Sequence, residues 1–130
     1  MLGSPIVAVE NDRTNHDWRF RTRNGSDTGL AIHLADLIYG KWAYFVICTH
    51  IEDAPNGWTK IWFRYDGWPD VNAGPTYQRS GHDTYQGREA TNTIGIYAGH
   101  DGSSTSYYGY FDRYGRALTP ARAIILAGNP

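Results

Sequence analysis

The chain predicts an all-β fold, an antiparallel sandwich or jelly roll, on three observations. Aromatic residues are abundant, with ten Tyr and five Trp, while Gly reaches 15 and Met occurs once. Apolar and polar residues alternate with a period of two in several short runs, and no stretch sustains a helical period. Turn-forming clusters punctuate these runs: "RNGSD", "DAPNG", "YDGWPD", "GHDGSS" and "ALTP".

Taken in order, the predicted strands are 5–11 "PIVAVEN", 17–23 "DWRFRTR", 29–34 "GLAIHL" and 41–52 "KWAYFVICTHIE". They continue with 57–67 "GWTKIWFRYDG", 92–99 "NTIGIYAG", 106–114 "SYYGYFDRY" and 121–128 "ARAIILAG". The "EDAPNG" turn between two long strands predicts a hairpin that sets 41–52 antiparallel to 57–67. Residues 68–90 show no clear period and read as a long connection, a kind of loop that is usually functional or disordered. The 130 residues suit a single domain, with 1–16 either a peripheral strand or partly a cloning remnant.

Composition narrows the function classes. Twelve Lys and Arg balance 13 Asp and Glu, for a formal net charge of −1, which points away from nucleic acid and from membrane surfaces. No run approaches the ~20 apolar residues of a membrane helix. The N-terminus lacks a signal-peptide pattern. The single cysteine, Cys48, excludes an internal disulfide and reads as a packed thiol. Five histidines, at 16, 33, 50, 82 and 100, show no metal-ligand spacing, and no calcium loop, phosphate loop or serine elbow is visible. His33 and His50 fall within strands and read as buried or partly buried, while His82 and His100 read as solvated loop residues. No cofactor and no metal is expected.

Three arrays carry candidate chemistry. In "DWRFRTR", Trp18, Phe20 and Thr22 share one face, and Arg19, Arg21 and Arg23 form a ridge on the other at about 7 Å per step. Planar guanidinium forks suit carboxylate and sulfate groups, so the ridge reads either as a site for an acidic polymer or as an outward face paired with neighbouring carboxylates. In "GWTKIWFRYDG", Ile61, Phe63 and Tyr65 form a core stripe, while Lys60, Trp62 and Arg64 mix an aromatic plate with cations. Sugar binding uses that mixture, although such a face is also often covered by another part of the protein. In "NTIGIYAG", Gly95 and Gly99 clear side chains from the face that carries Tyr97, which either opens room for a ligand or eases packing.

The ordered elements "GKWAYFVICTHIEDAPNGWTKIWFRYDG", "VNAGPTY" and "NTIGIYAG" resemble the C-terminal half of heparin-lyase-I-like polysaccharide lyases. Gly40 and Trp42 match the entry to the long strand, and Trp62 with Asp66–Gly67 the hairpin partner. Gly74–Pro75–Thr76 matches the loop, and Ile94–Gly95–Ile96–Tyr97 the last strand. The resemblance spans about residues 40 to 100. It implies a concanavalin-A-like jelly roll that binds a uronic-acid polysaccharide on its concave face and cleaves it by β-elimination. In such a reaction the uronate carboxylate is neutralised, a His or Tyr takes the C5 proton, and Tyr protonates the leaving oxygen. Tyr97 falls at the family's catalytic tyrosine; a free phenol titrates near about 10, so cations would have to assist it as a base. Extracellular or periplasmic location follows from the same likeness.

Two departures stand beside it. The family's lysine four residues before the tyrosine is Thr93, and the family's catalytic histidine belongs to an N-terminal half that this chain lacks. The resulting alternatives are a fragment, completion by another chain or a second copy, or a smaller reworked sandwich. A non-catalytic glycan-binding or structural module of a surface or fibre protein is the competing function.

Overall fold

Period-two alternation does become strands. The computed structural model describes residues 7–12, 14–22, 30–85, 115 and 117–127. They form β1 (Val7–Asp12), β2 (Asp17–Thr22), β3 (Leu30–Asp36), β4 (Ala43–His50), β5 (Trp58–Tyr65), β6 (Tyr77–Ser80) and α1 (Pro120–Leu126). The expected strands at 92–99 and 106–114 lie outside the described residues, as does Tyr97.

The strands assemble into two antiparallel three-stranded sheets, β1-β2-β3 and β4-β5-β6, in an all-β sandwich. Trp18 and Phe20 of β2 turn toward the second sheet. Trp18 meets Phe45 edge-on at 5.2 Å between centroids, and Phe20 meets Tyr77 at 5.4 Å. The Arg79 guanidinium crosses the same gap and donates to the Thr22 hydroxyl and carbonyl. Phe20, Ile61, Thr22 and Thr59 are fully buried in this layer. The β4–β5 hairpin is antiparallel as expected, and its register sets Val46 opposite Trp62 and His50 opposite Trp58.

Two elements differ from the expectation. The run expected as a strand from 121 is helical through Leu126: α1 is capped by Thr119, whose hydroxyl accepts from Arg122 N–H at 3.4 Å, with Pro120 in the first turn. Threonine then proline is a helix-start signal, and the alanines that follow favour helix over strand. Among the described residues of this segment only Ile124 and the capping Ala127 are buried; Ile125 and Leu126 face outward. The aperiodic stretch 68–90 also contains a strand, β6, whose four residues "YQRS" are too few and too polar to announce themselves.

β5 is buried on both faces. Ile61 and Thr59 point between the sheets, whereas Trp62 packs on the outer side with Val46 and Ile124, joined by Cys48, Trp68 and Val71. A short helix laid over an antiparallel sheet thus gives the second sheet its own small outer core.

Candidate functional site

The outer face of the second sheet is a ladder of cross-strand pairs. In order along the hairpin these are Tyr44 with Arg64, Val46 with Trp62, Cys48 with Lys60, and His50 with Trp58. Six residue steps along the strand separate Tyr44 from His50, a run of about 20 Å. The middle of the ladder is covered and both ends carry aromatic rings beside cations.

At the hairpin end His50 stacks on Trp58, with centroids 5.6 Å apart and planes at 17°. Lys60 Nζ lies 4.9 Å from the Trp58 ring centroid, within the range of a cation–π contact. At the other end Tyr44 meets Trp68 edge-on at 5.2 Å, next to an exposed Arg64. Trp42 adjoins this end with 51% of its surface exposed, its carbonyl accepting from Asp66 N–H at 3.0 Å.

The connection from β3 to β4 extends the aromatic surface. Tyr39 is 76% exposed and Ile38 is also exposed, yet the segment is pinned at several points. Tyr65 donates its hydroxyl to the Asp36 carbonyl and accepts from Ile38 N–H. Leu37 N–H donates to His16 O at 2.7 Å, and Lys41 pairs with Asp66 at 2.8 Å. Rings held outward on a fastened segment lose little entropy when a ligand arrives. Gly40, at φ +77°, makes the turn that a side chain would strain.

The sequence-derived candidates separate into two groups. Arg19 and Arg21 lie on the outer face of the first sheet, on the opposite side of the sandwich from Lys60, Trp62 and Arg64. Arg19 Nε reaches both Asp17 oxygens at 3.0 and 3.2 Å. Arg21 grips Glu10 with Nε at 2.7 Å and Nη2 at 3.1 Å, and this pairing raises its already high pKa. These two arginines therefore adopt the carboxylate-paired arrangement. Arg23 and Tyr97 lie outside the described residues. Trp62 is 7% exposed and its indole N–H donates to Ala73 O at 3.0 Å, so its ring packs as core and is not an open plate.

Asp17 organises the first sheet's outer face. His33 Nδ1 lies 3.0 Å from its Oδ2, and that bond, followed by Arg19, holds the carboxyl below its usual range against the opposing effect of burial. His33 itself is exposed, contrary to the expectation for a strand histidine, because it stands on the solvent side of β3; His50 is exposed for the same reason on β4. His82 reverses the opposite expectation and is 1% exposed. Burial raises the Cys48 thiol pKa, with Lys60 opposing, as expected for an inert sulfur. Among the described residues no three His, Cys, Asp or Glu side chains group to hold a metal ion.

The sequence did not assign Trp58, Trp42 or His50 to the site: Trp42 entered only as a match at the start of the long strand, and His50 only as a strand histidine. The period of two that joins Lys60, Trp62 and Arg64 extends back to Trp58, so that ring was accessible to the same argument. Comparison with protein-family models, with curated proteins and with solved structures finds no match.

Proposed function

We propose that this domain recognises an acidic polysaccharide along the outer face of its second sheet. One observation carries the reading: the two ends of the β4–β5 ladder each set aromatic rings beside a cation, His50–Trp58 with Lys60 and Tyr44–Trp68 with Arg64. Rings stack on the C–H faces of pyranoses, and the cations complement uronate or sulfate groups. Two ends about 20 Å apart favour a polymer over a monosaccharide.

Cleavage by β-elimination is the second reading, and the resemblance of residues 40 to 100 favours it. Tyr97 would move a proton at C5 or at the leaving oxygen. Three residues that carry the resemblance serve the local backbone in this chain. Gly40 and Asp66 take positive φ, and the Thr76 hydroxyl accepts from Phe63 N–H at 3.0 Å. Turn geometry at Gly40 and Asp66 and a strand hydrogen bond at Thr76 give these residues local structural roles, so recognition stands ahead of catalysis. An extracellular or periplasmic setting would supply such a polymer.

A panel of alginate, glucuronan, heparin and hyaluronan tests both readings. Binding to one of them, lost in Trp58→Ala or Arg64→Gln, is the expected result; uniform failure to bind removes the proposal. Ultraviolet absorbance from an unsaturated uronide product, abolished by Tyr97→Phe, would add the lyase step. Binding with no such product leaves a recognition module.

A further inference from the structure

The segment that follows β6 is fastened to the β4–β5 hairpin by a short set of bonds. Gly81 and His82 N–H groups both donate to Gly57 O, at 3.0 and 3.3 Å, and Thr84 N–H donates to Glu52 O at 3.0 Å. The Thr84 hydroxyl, fully buried, contacts His50 O at 2.6 Å and Glu52 O at 3.1 Å and lies 2.9 Å from Glu52 N. Inside this clasp sits His82, 1% exposed, with neither ring nitrogen hydrogen-bonded among the described residues. The buried Thr59 hydroxyl is likewise without a partner there. A buried polar ring held without hydrogen bonds costs stability, and it costs far more once charged.

We infer that residues 81–85 are an acid-released strap: protonation of His82 frees them from the hairpin and loosens its His50–Trp58 end. The inference stands independently of the glycan reading. Protonation puts a charge on a ring that is 1% exposed and within electrostatic reach of the Arg79 guanidinium. Asp83, the neighbouring carboxylate, opposes this only partly, since burial and Arg79 together hold the imidazole below its ordinary value. From the hairpin the charged groups are Glu52 and Asp53, both exposed to water, and Glu52 Oε1 accepts from Asp53 N–H. The first sheet contributes the uncharged Thr22, which binds Arg79. Opening the strap lets the imidazolium reach solvent, and the bonds from Thr84 to His50 and Glu52 are lost with it.

The sign follows from linkage. A histidine whose folded value is depressed favours the closed strap fully above about pH 6.5, and that preference is lost as pH falls toward the folded value. Opening therefore rises by up to about tenfold per pH unit in that window. Amide hydrogen exchange of Gly81, His82 and Thr84, corrected for intrinsic rates, should show this rise while Trp62 and Phe63 on β5 stay protected. His82→Phe should flatten it. A wild-type response that is absent, or unchanged in His82→Phe, overturns the inference. Should that variant fail to fold, ring resonances of the wild-type protein decide. The rise in exchange at Thr84 must level off at the pH where the His82 ring titrates, and exchange indifferent to that titration overturns the strap.

Discussion

Gly57→Ala should be among the most damaging small substitutions in this domain. A Cβ built there lies 2.2 Å from the His82 carbonyl oxygen, 2.6 Å from the Thr84 hydroxyl and 2.9 Å from the Glu52 carbonyl oxygen. Two of the three are backbone atoms, so no flexible side chain can turn aside. The residues beyond β6 must retreat, and the Gly81 and His82 bonds to Gly57 O go with them. Two or three hydrogen bonds at about 1 kcal/mol each, with overpacking of about 1–3 kcal/mol, set the gross loss. Stiffening the unfolded chain returns about 0.4–1 kcal/mol, which leaves a net loss of about 2–5.5 kcal/mol. For a domain of this size the melting temperature should fall by about 10 °C. Urea unfolding followed by tryptophan fluorescence, together with a thermal melt, measures both quantities. A variant melting within about 2 °C of wild type would refute the close approach on which the estimate rests.

Other perturbations reach different parts of the molecule. Ile124→Ala removes the buried anchor of α1 from Val46 and Trp62 and should cost about 2–4 kcal/mol, with a red shift of tryptophan emission as Trp62 meets water. An unshifted spectrum would mean that the helix stays docked without its anchor. Asp17→Asn should destabilise the protein at neutral pH and leave it close to wild type in strong acid. The Asp17 carboxyl is held below its usual value by His33 and then Arg19, so its contribution is present above about pH 4 and lost as pH falls through the folded value. Urea midpoints measured from neutral pH into strong acid check this; parallel curves for the two proteins would contradict it.

Much of the fold is legible in the sequence because the hydrophobic pattern is clean where strands are long. "DWRFRTR" sends Phe20 inward and Arg19 and Arg21 outward, and the "EDAPNG" turn sets β4 antiparallel to β5. Tertiary context decided the rest. Trp62 reads as an outward plate until α1 is known to cover it, and α1 itself was hidden because "ARAIILAG" reads equally well as a buried strand. The helix signal was Thr119–Pro120, just upstream of that run. β6 is recruited by pairing with β5 and not by its own residues, and His82 is buried by a polar segment whose composition signals only a loop. The candidate site was half legible: Lys60 and Arg64 were on the right strand face, whereas their partners Trp58, His50 and Tyr44 emerge only once the cross-strand register is fixed. The division of the five described candidates, Arg19 and Arg21 against Lys60, Trp62 and Arg64, between opposite faces depends on which sheets pack together, which no single strand encodes.

Calorimetric titration of an acidic oligosaccharide into wild type, Trp58→Ala with Lys60→Gln, and Arg19→Gln with Arg21→Gln tests the central claim most directly. The expected result is a marked loss of affinity in the Trp58/Lys60 protein, weakening of wild-type binding as salt rises, and near-wild-type affinity in the Arg19/Arg21 protein. Undiminished binding in the Trp58/Lys60 protein, or loss confined to the Arg19/Arg21 protein, would place recognition on the other sheet and contradict the account.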